Sequence, residues 1–186
     1  MVLAVVVVLL ALQGQAEMAP RVKETAYARV VRAQEVARDA AVKDAVAASN
    51  GVAEPPDQVR RRDASWSANK SDPLRQAIVQ APCSARIREI LKDDPTIVEA
   101  FAMNERGTLV CSASETSDYW QGDEPKWQRT FVDGRDPFVD EPAFDASTGK
   151  YAIQVSVPVT NGTARIGAVT LTLKLSRQDA GAPLKD

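Results

Sequence analysis

Apolar and polar residues alternate near the end of the chain, where Val169, Leu171, Leu173 and Leu175 interleave with Thr170, Thr172 and Lys174. A period of two sends neighbours to opposite faces of a strand. Ile166 to Leu175 therefore predicts a strand with one buried face and one more polar face. Ile153 to Val159 precedes it across Asn161-Gly162, a pair suited to the tight turn of a hairpin. An earlier pair of β-rich runs, Ile97 to Met103 and Thr108 to Ala113, is joined by Asn104-Glu105-Arg106-Gly107. Four residues ending in glycine suit a type I turn closed by a left-handed residue.

The first half of the chain has a different period. Val22, Ala26, Val30, Ala33, Ala37 and Ala41 recur at spacings of three and four, so Glu17 to Asn50 predicts one long helix stopped at Asn50-Gly51. Val52 to Asp72 reads as irregular, with Pro55-Pro56, a lone Trp66, and Arg60, Arg61 and Arg62 as a solvated face. Asp72-Pro73 opens a second helix, with a break at Pro82 and an end before Asp94-Pro95. Between the hairpins, Ser114 to Lys150 predicts a short helix from Pro125 to Phe131 and a strand near Phe138 to Phe144. Helices first and hairpin-linked strands afterwards imply an α+β fold with an antiparallel sheet.

The extreme N-terminus departs from both periods. Residues 2 to 12, VLAVVVVLLAL, form an uncharged apolar run followed by Gly14 and Ala16, which fits a signal peptide of residues 1–16 cleaved after Ala16. A buried strand or an uncleaved anchor are the alternatives. The mature chain is then one domain, residues 17–178, with a flexible tail at 179–186. Export to the periplasm or medium would place Cys83 and Cys111 in an oxidising compartment, where they either pair or stand as two buried thiols. A net charge of −2 provides no footprint for nucleic acid. With no histidine, Ser-His-Asp and Cys-His triads are excluded, and so is nearly every zinc site. Neither catalysis nor a cofactor is expected.

Candidate chemistry concentrates in the segment between the hairpins. Tyr119, Trp120 and Trp127 fall within nine residues, with Asp118, Asp123, Glu124 and Lys126 among them. Aromatic walls with a few carboxylates suit a ligand bearing an amino or quaternary ammonium group. Arg129 or Lys126 could instead hold a carboxylate. The same tryptophans would also serve as the small core of a long loop. Trp66 either packs plainly or closes the pocket from the helical side. Asp123 and Glu124 are adjacent, so on a strand they point to opposite faces and cannot flank a glycosidic bond. Asp133, Asp136, Asp140 and Glu141 lack the spacing of a calcium loop.

Two stretches, IVEAFAMNERGTLVCSASETSDYWQGDEPKW from Ile97 and FDASTG…QVSVPVTNGTARIGAVTLTL from Phe144, resemble the Cache (PDC) type of extracellular sensor domain. The resemblance implies a PAS-like antiparallel sheet of five or six strands with the long N-terminal helix packed on it. It further implies a small-molecule site (amino acid, amine or carboxylate) whose ligand loop carries Asp118, Tyr119, Trp120 and Asp123, beside which Trp127, Arg129 and Trp66 are the candidates that residue chemistry adds. In that reading Asp145, otherwise a turn residue capping its own backbone, faces the first loop and holds a ligand amine. Cache domains commonly sit between membrane spans and drive a kinase, chemoreceptor or cyclase. This chain reads as a stand-alone exported form, with a membrane receptor or kinase as partner, or a second copy joined through the N-terminal helix. A protein-interaction module with a vestigial pocket, acting through that helix, is the alternative function.

Overall fold

Each of the first five helices in the structure begins on a proline or follows an aspartate, and this punctuation shapes the N-terminal half. The structure is a computed structural model that describes residues 20–145 and 150–175. The expected signal segment 1–16 and tail 179–186 lie outside the described residues. Helix α1 spans Pro20–Arg38 and α2 spans Ala40–Asn50. The single long helix expected is thus two. Asp39 leaves helical geometry (φ −61°, ψ 132°) and caps α2 by accepting a hydrogen bond from the Ala41 N–H at 3.0 Å. The apolar letters continue through the break, so the sequence period does not reveal it, but the buried face shifts there: Ala41 is exposed and burial resumes at Val42 and Val46.

A second correction concerns the segment expected to be irregular. Pro56–Ala68 forms a helix, α3, with Pro56 in its first turn. Its apolar residues are too few for a visible period, since only Val59 and Trp66 are buried. The basic run is solvated at Arg60 and Arg61, but Arg62 turns inward to pair with the buried Glu54. Helices α4 (Pro73–Gln80) and α5 (Pro82–Leu91) follow as expected, with the Asp72 carboxylate capping Leu74 N–H at 2.8 Å.

The remaining chain builds a six-stranded antiparallel sheet from β1 (Ile97–Asn104), β2 (Leu109–Ser112), β3 (Phe138–Val139), β4 (Ala143–Asp145), β5 (Lys150–Asn161) and β6 (Ala164–Leu175). Their order is β2-β1-β6-β5-β3, with β4 also pairing β5. The expected strand near Phe138 to Phe144 is therefore two short strands on the same edge of β5. Gly107 and Gly162 take φ of +76° and +59°, as tight turns there require, although the second turn centres on Gly162-Thr163, one residue later than the expected Asn161-Gly162 pair. The turn at Gly107 is packed as well as bent, because a Cβ there would lie 2.4 Å from the Gly122 Cα.

One face of the sheet receives α1, α2 and α5. Ala100, Ala102, Ile153, Val155, Val157, Val169, Leu171 and Leu173 meet Val22, Ala26, Val36, Val42, Val46 and Ile87 in one continuous core. Cys83 on α5 and Cys111 on β2 form a disulfide with Cα atoms 5.7 Å apart, tying the helical layer to the edge of the sheet. The opposite face is covered by α3, α4 and the segment 113–142. That segment includes a short helix, α6 (Pro125–Trp127), continued as a π-turn through Gln128–Val132.

Candidate functional site

The covered face is best described in rows, because paired residues on antiparallel strands point to the same side. Met103, Ala168 and Pro158 form the first row. Phe101, Thr170, Ser156 and Phe138 form the second. The third runs Glu99, Thr172, Gln154 and then Asp140, whose N–H donates to the Gln154 carbonyl at 2.9 Å. The sheet face thus grades from apolar, through hydroxyls flanked by phenylalanines, to polar with a carboxylate at each end. Ser156 and Thr170 share a hydrogen bond of 2.8 Å, and Gln154 Nε2 donates to Thr172 Oγ1 at 3.3 Å.

The aromatic residues of the insert occupy the apolar end. Trp66, Tyr119, Trp127, Met103, Phe101, Leu109 and Ala168 make a second core cluster. The indole N–H groups of both cluster tryptophans, and of Trp120 beside the cluster, are used on backbone: Trp66 on Thr116 O at 3.0 Å, Trp120 on Arg106 O at 2.9 Å, Trp127 on Asn104 O at 3.1 Å. The Arg75 guanidinium lies 4.7 Å from the centre of the Trp66 ring. Asp63 on α3 accepts from the N–H groups of both Tyr119 and Trp120 at 2.9 Å, so the helix orients the insert directly. Tyr119 Oη donates to the Glu54 carboxylate (3.0 and 3.1 Å to its two oxygens), which Arg62 also engages. Burial pushes the Tyr119 phenol above its ordinary value, and the Glu54 charge acts in the same direction. The phenol stays neutral and keeps its donor.

At the polar end the insert and sheet enclose a cavity of about 620 Å³. Its floor is the third row together with Phe101 and Ala152; its roof includes Thr116, Gln121, Glu124 and Lys126; Phe144 stands at its rim, half exposed. Lys126 is buried, donates to Glu124, and lies 5.7 Å from the centre of the Phe101 ring. Five carboxylates, Glu99, Glu115, Glu124, Asp140 and Glu141, line the space against the single Lys126 ammonium. Arg75, from outside the lining, compensates Glu115 at 3.1 Å. The cavity is therefore strongly acidic.

Of the expected site residues with described side chains, only Lys126, the alternative to Arg129 for holding a carboxylate, lines this cavity. Trp66, Tyr119 and Trp127 are buried in the cluster beside it. Trp120 borders a separate hollow of about 280 Å³ with Val59, Pro56 and Arg60. Asp118 accepts from Ser67 Oγ at 3.5 Å and Ser117 Oγ at 2.6 Å; Ser117 is in the cavity lining but Asp118 is not. Asp123 is exposed, and Arg129 pairs with Asp133 at 2.8 Å on the surface. Asp145 ends β4 opposite Lys150; its side chain lies outside the described residues. The residues that do line the cavity were partly legible. The alternation of β6 puts Thr172 on the polar face, but Gln154 comes opposite it only through a register shift between Val159 and Thr160. The turn residues do not announce that shift, and no local signal joins Glu99 to Asp140 across three strand steps.

No family profile matches the sequence, and no curated protein does. Several solved structures are similar to it. The sensor domain of the V. cholerae histidine kinase DctB shares 12% identity over 86% of this chain and 55% of its own, with a TM-score of 0.46. The Pseudomonas aeruginosa chemoreceptor PctC ligand-binding domain, solved with GABA, shares 17% identity over 64% of this chain and 61% of its own, with a TM-score of 0.40. The sensory domain of the Campylobacter jejuni chemoreceptor Tlp3, solved with isoleucine, shares 13% identity over 88% and 68%, with a TM-score of 0.42. These neighbours are sensor or ligand-binding domains, and the chain spans little more than half the length of the first two. Among the described residues, no helix is long and apolar enough to cross a membrane.

Proposed function

We propose that this domain is an exported receptor module that binds a small organic molecule in the cavity between the polar row of the sheet and the insert. The observation that carries this reading is the cavity itself. A volume of about 620 Å³ falls in the range of metabolite sites, and its wall combines an aromatic ring with placed polar groups. The insert is fastened by buried indoles and by Asp63, so the cavity is formed without its ligand and little ordering cost would accompany binding. Amino acids, amines and carboxylates are the classes to test. Signalling would pass to a membrane receptor or kinase.

Thermal unfolding against such a panel tests the reading. A ligand at a hundred times its Kd should add about 2.7 kcal/mol of stability, visible as a raised Tm. Ala152→Trp, which fills the cavity from its floor, should remove that rise while circular dichroism stays unchanged. A panel that raises no Tm in the unsubstituted protein would overturn the proposal.

A second reading has its own observation. Tyr27 and Val31, four residues apart on α1, are 56% and 63% exposed. A partner or second copy docking on that face would bury them. Sedimentation of Tyr27→Glu/Val31→Glu against the unsubstituted chain separates the readings, since the substitutions should abolish association and leave ligand binding intact.

A further inference from the structure

We infer that the ligand is an aliphatic diamine or polyamine, laid along the Glu99–Thr172–Gln154–Asp140 row with an ammonium at each end. The inference rests on the receptor reading and narrows it. Three carboxylates in the lining, Glu99, Asp140 and Glu141, have no ion-pair partner among the described residues, whereas Glu115 and Glu124 are held by Arg75 and Lys126. The unpaired charges stand at opposite ends. Glu99 belongs to β1, and Asp140 extends β3, three inter-strand steps away in the strand order. At about 4.8 Å a step, their backbones are about 14 Å apart, and side chains reaching inward shorten that span. An α,ω-diamine of four or five methylenes, with a hydrogen bond at each end, has that reach.

The middle of the row suits the rest of such a molecule. Thr172 and Gln154 are hydrogen-bonded to each other, so the floor between the carboxylates is neutral and largely self-satisfied. Above it, Gln121 is 2% exposed and uses its amide nitrogen on the Asp118 carbonyl at 2.9 Å. Its Oε1 accepts no bond from any described residue and is left for a donor in the cavity it lines. Lys126 does not oppose this, because Glu124 neutralises it and the Phe101 ring faces its ammonium. Lys174, one row further out, is exposed and outside the lining. A metal ion fits less well. Among the described residues no three such groups converge as metal ligands must, so the charge is spread along the cavity.

Isothermal titration of the full chain tests the inference, using 1,4-diaminobutane, 1,5-diaminopentane, spermidine, n-butylamine, L-alanine, succinate and calcium chloride as probes. The diamines or spermidine should bind at least ~10-fold tighter than n-butylamine, because losing one charge-assisted hydrogen bond costs about that factor. Glu99→Gln and Asp140→Asn should each weaken diamine binding by roughly 10-fold without changing n-butylamine binding by as much. Their circular dichroism and Tm without ligand show whether they remain folded. Tight binding of alanine or succinate with no diamine binding would overturn the diamine inference and leave the receptor reading standing. Calcium binding that needs Glu99 and Asp140 would overturn it too. Absence of binding by every probe, together with no Tm rise across the wider panel, would remove both.

Discussion

Leu171 and Thr172 are neighbours on β6, yet they meet different surroundings. Leu171 enters a core of valines, alanines and isoleucines contributed by α1, α2 and α5, and is fully buried there. Thr172 is nearly as buried but faces a cavity, with a glutamine as its hydrogen-bond partner. Close packing removes volume on the first face, so stability accumulates there. On the second face the polar residues satisfy one another across strands, which makes burial tolerable without filling the space. The difference shows how one sheet can be a foundation on one side and a binding floor on the other. The insert then divides the second face again: its aromatic rings fill the apolar end, and the acid-lined end stays open.

The contrast can be broken by substitution, and the largest effect should come from the aromatic end. Trp66→Ala removes a fully buried ring that donates to Thr116 O, lies under the Arg75 guanidinium and packs on Tyr119, and should cost about 4 kcal/mol in urea unfolding. It should also abolish ligand-dependent stabilisation, because the roof loses its anchor. Loss of stability with binding retained would show that the roof holds without it.

Leu171→Ala and Thr172→Ala form the sharper pair. Leu171→Ala should cost about 3 kcal/mol and leave ligand affinity nearly unchanged in titrations. Thr172→Ala should cost about 1–2 kcal/mol, less than Leu171→Ala, and lower affinity, since it removes a hydroxyl and a methyl from the cavity floor and takes the acceptor from Gln154. Equal effects of the two on affinity would mean that the faces are not independent.

Smaller effects probe what joins the layers. Tyr119→Phe removes the phenol that donates to Glu54 and should destabilise by about 1.5 kcal/mol, leaving Arg62 as the main partner of that buried carboxylate. On the helical side, Asp94 binds Arg29 at 2.9 Å and accepts from the Thr96 N–H at 3.1 Å. Burial pushes its carboxyl upward, but the hydrogen bonds from Thr96 and Arg29 outweigh this and hold it below the ordinary value of 3.8. A depressed carboxylate contributes stability that is present above the unfolded value and lost as pH falls through the folded one. Urea unfolding should therefore lose less on acidification below about pH 4 in Asp94→Asn than in the unsubstituted protein. An identical pH dependence in the two would refute the role given to this ion pair.

The expected elements differ instructively in how they fared. Both hairpins, the polar face of β6, and the start of α4 at Asp72-Pro73 were legible, because each rests on residues within ten positions of one another. The break at Asp39 was hidden by an apolar period that continues through it. Helix α3 was hidden because its few buried residues pack against the insert, far away in sequence, and carry no period of their own. The aromatic cluster between Trp120 and Trp127 was conspicuous for composition, but composition alone does not say which end of a cavity a ring fills.

Local backbone preference and the alternation of side chains are short-range properties, so the chain's letters alone determined strands, turns, caps, the α+β class and a sheet with one polar face. Which acids share a cavity depends on strand order, and strand order depends on contacts between residues more than forty positions apart. Glu99 and Asp140 come to the two ends of one row only because β6 and β5 lie between β1 and β3. The pairing of Cys83 with Cys111, 28 positions apart, likewise required α5 and β2 to pack together. Those decisions belong to the packed molecule, where buried area and hydrogen-bond satisfaction are settled for all the elements together.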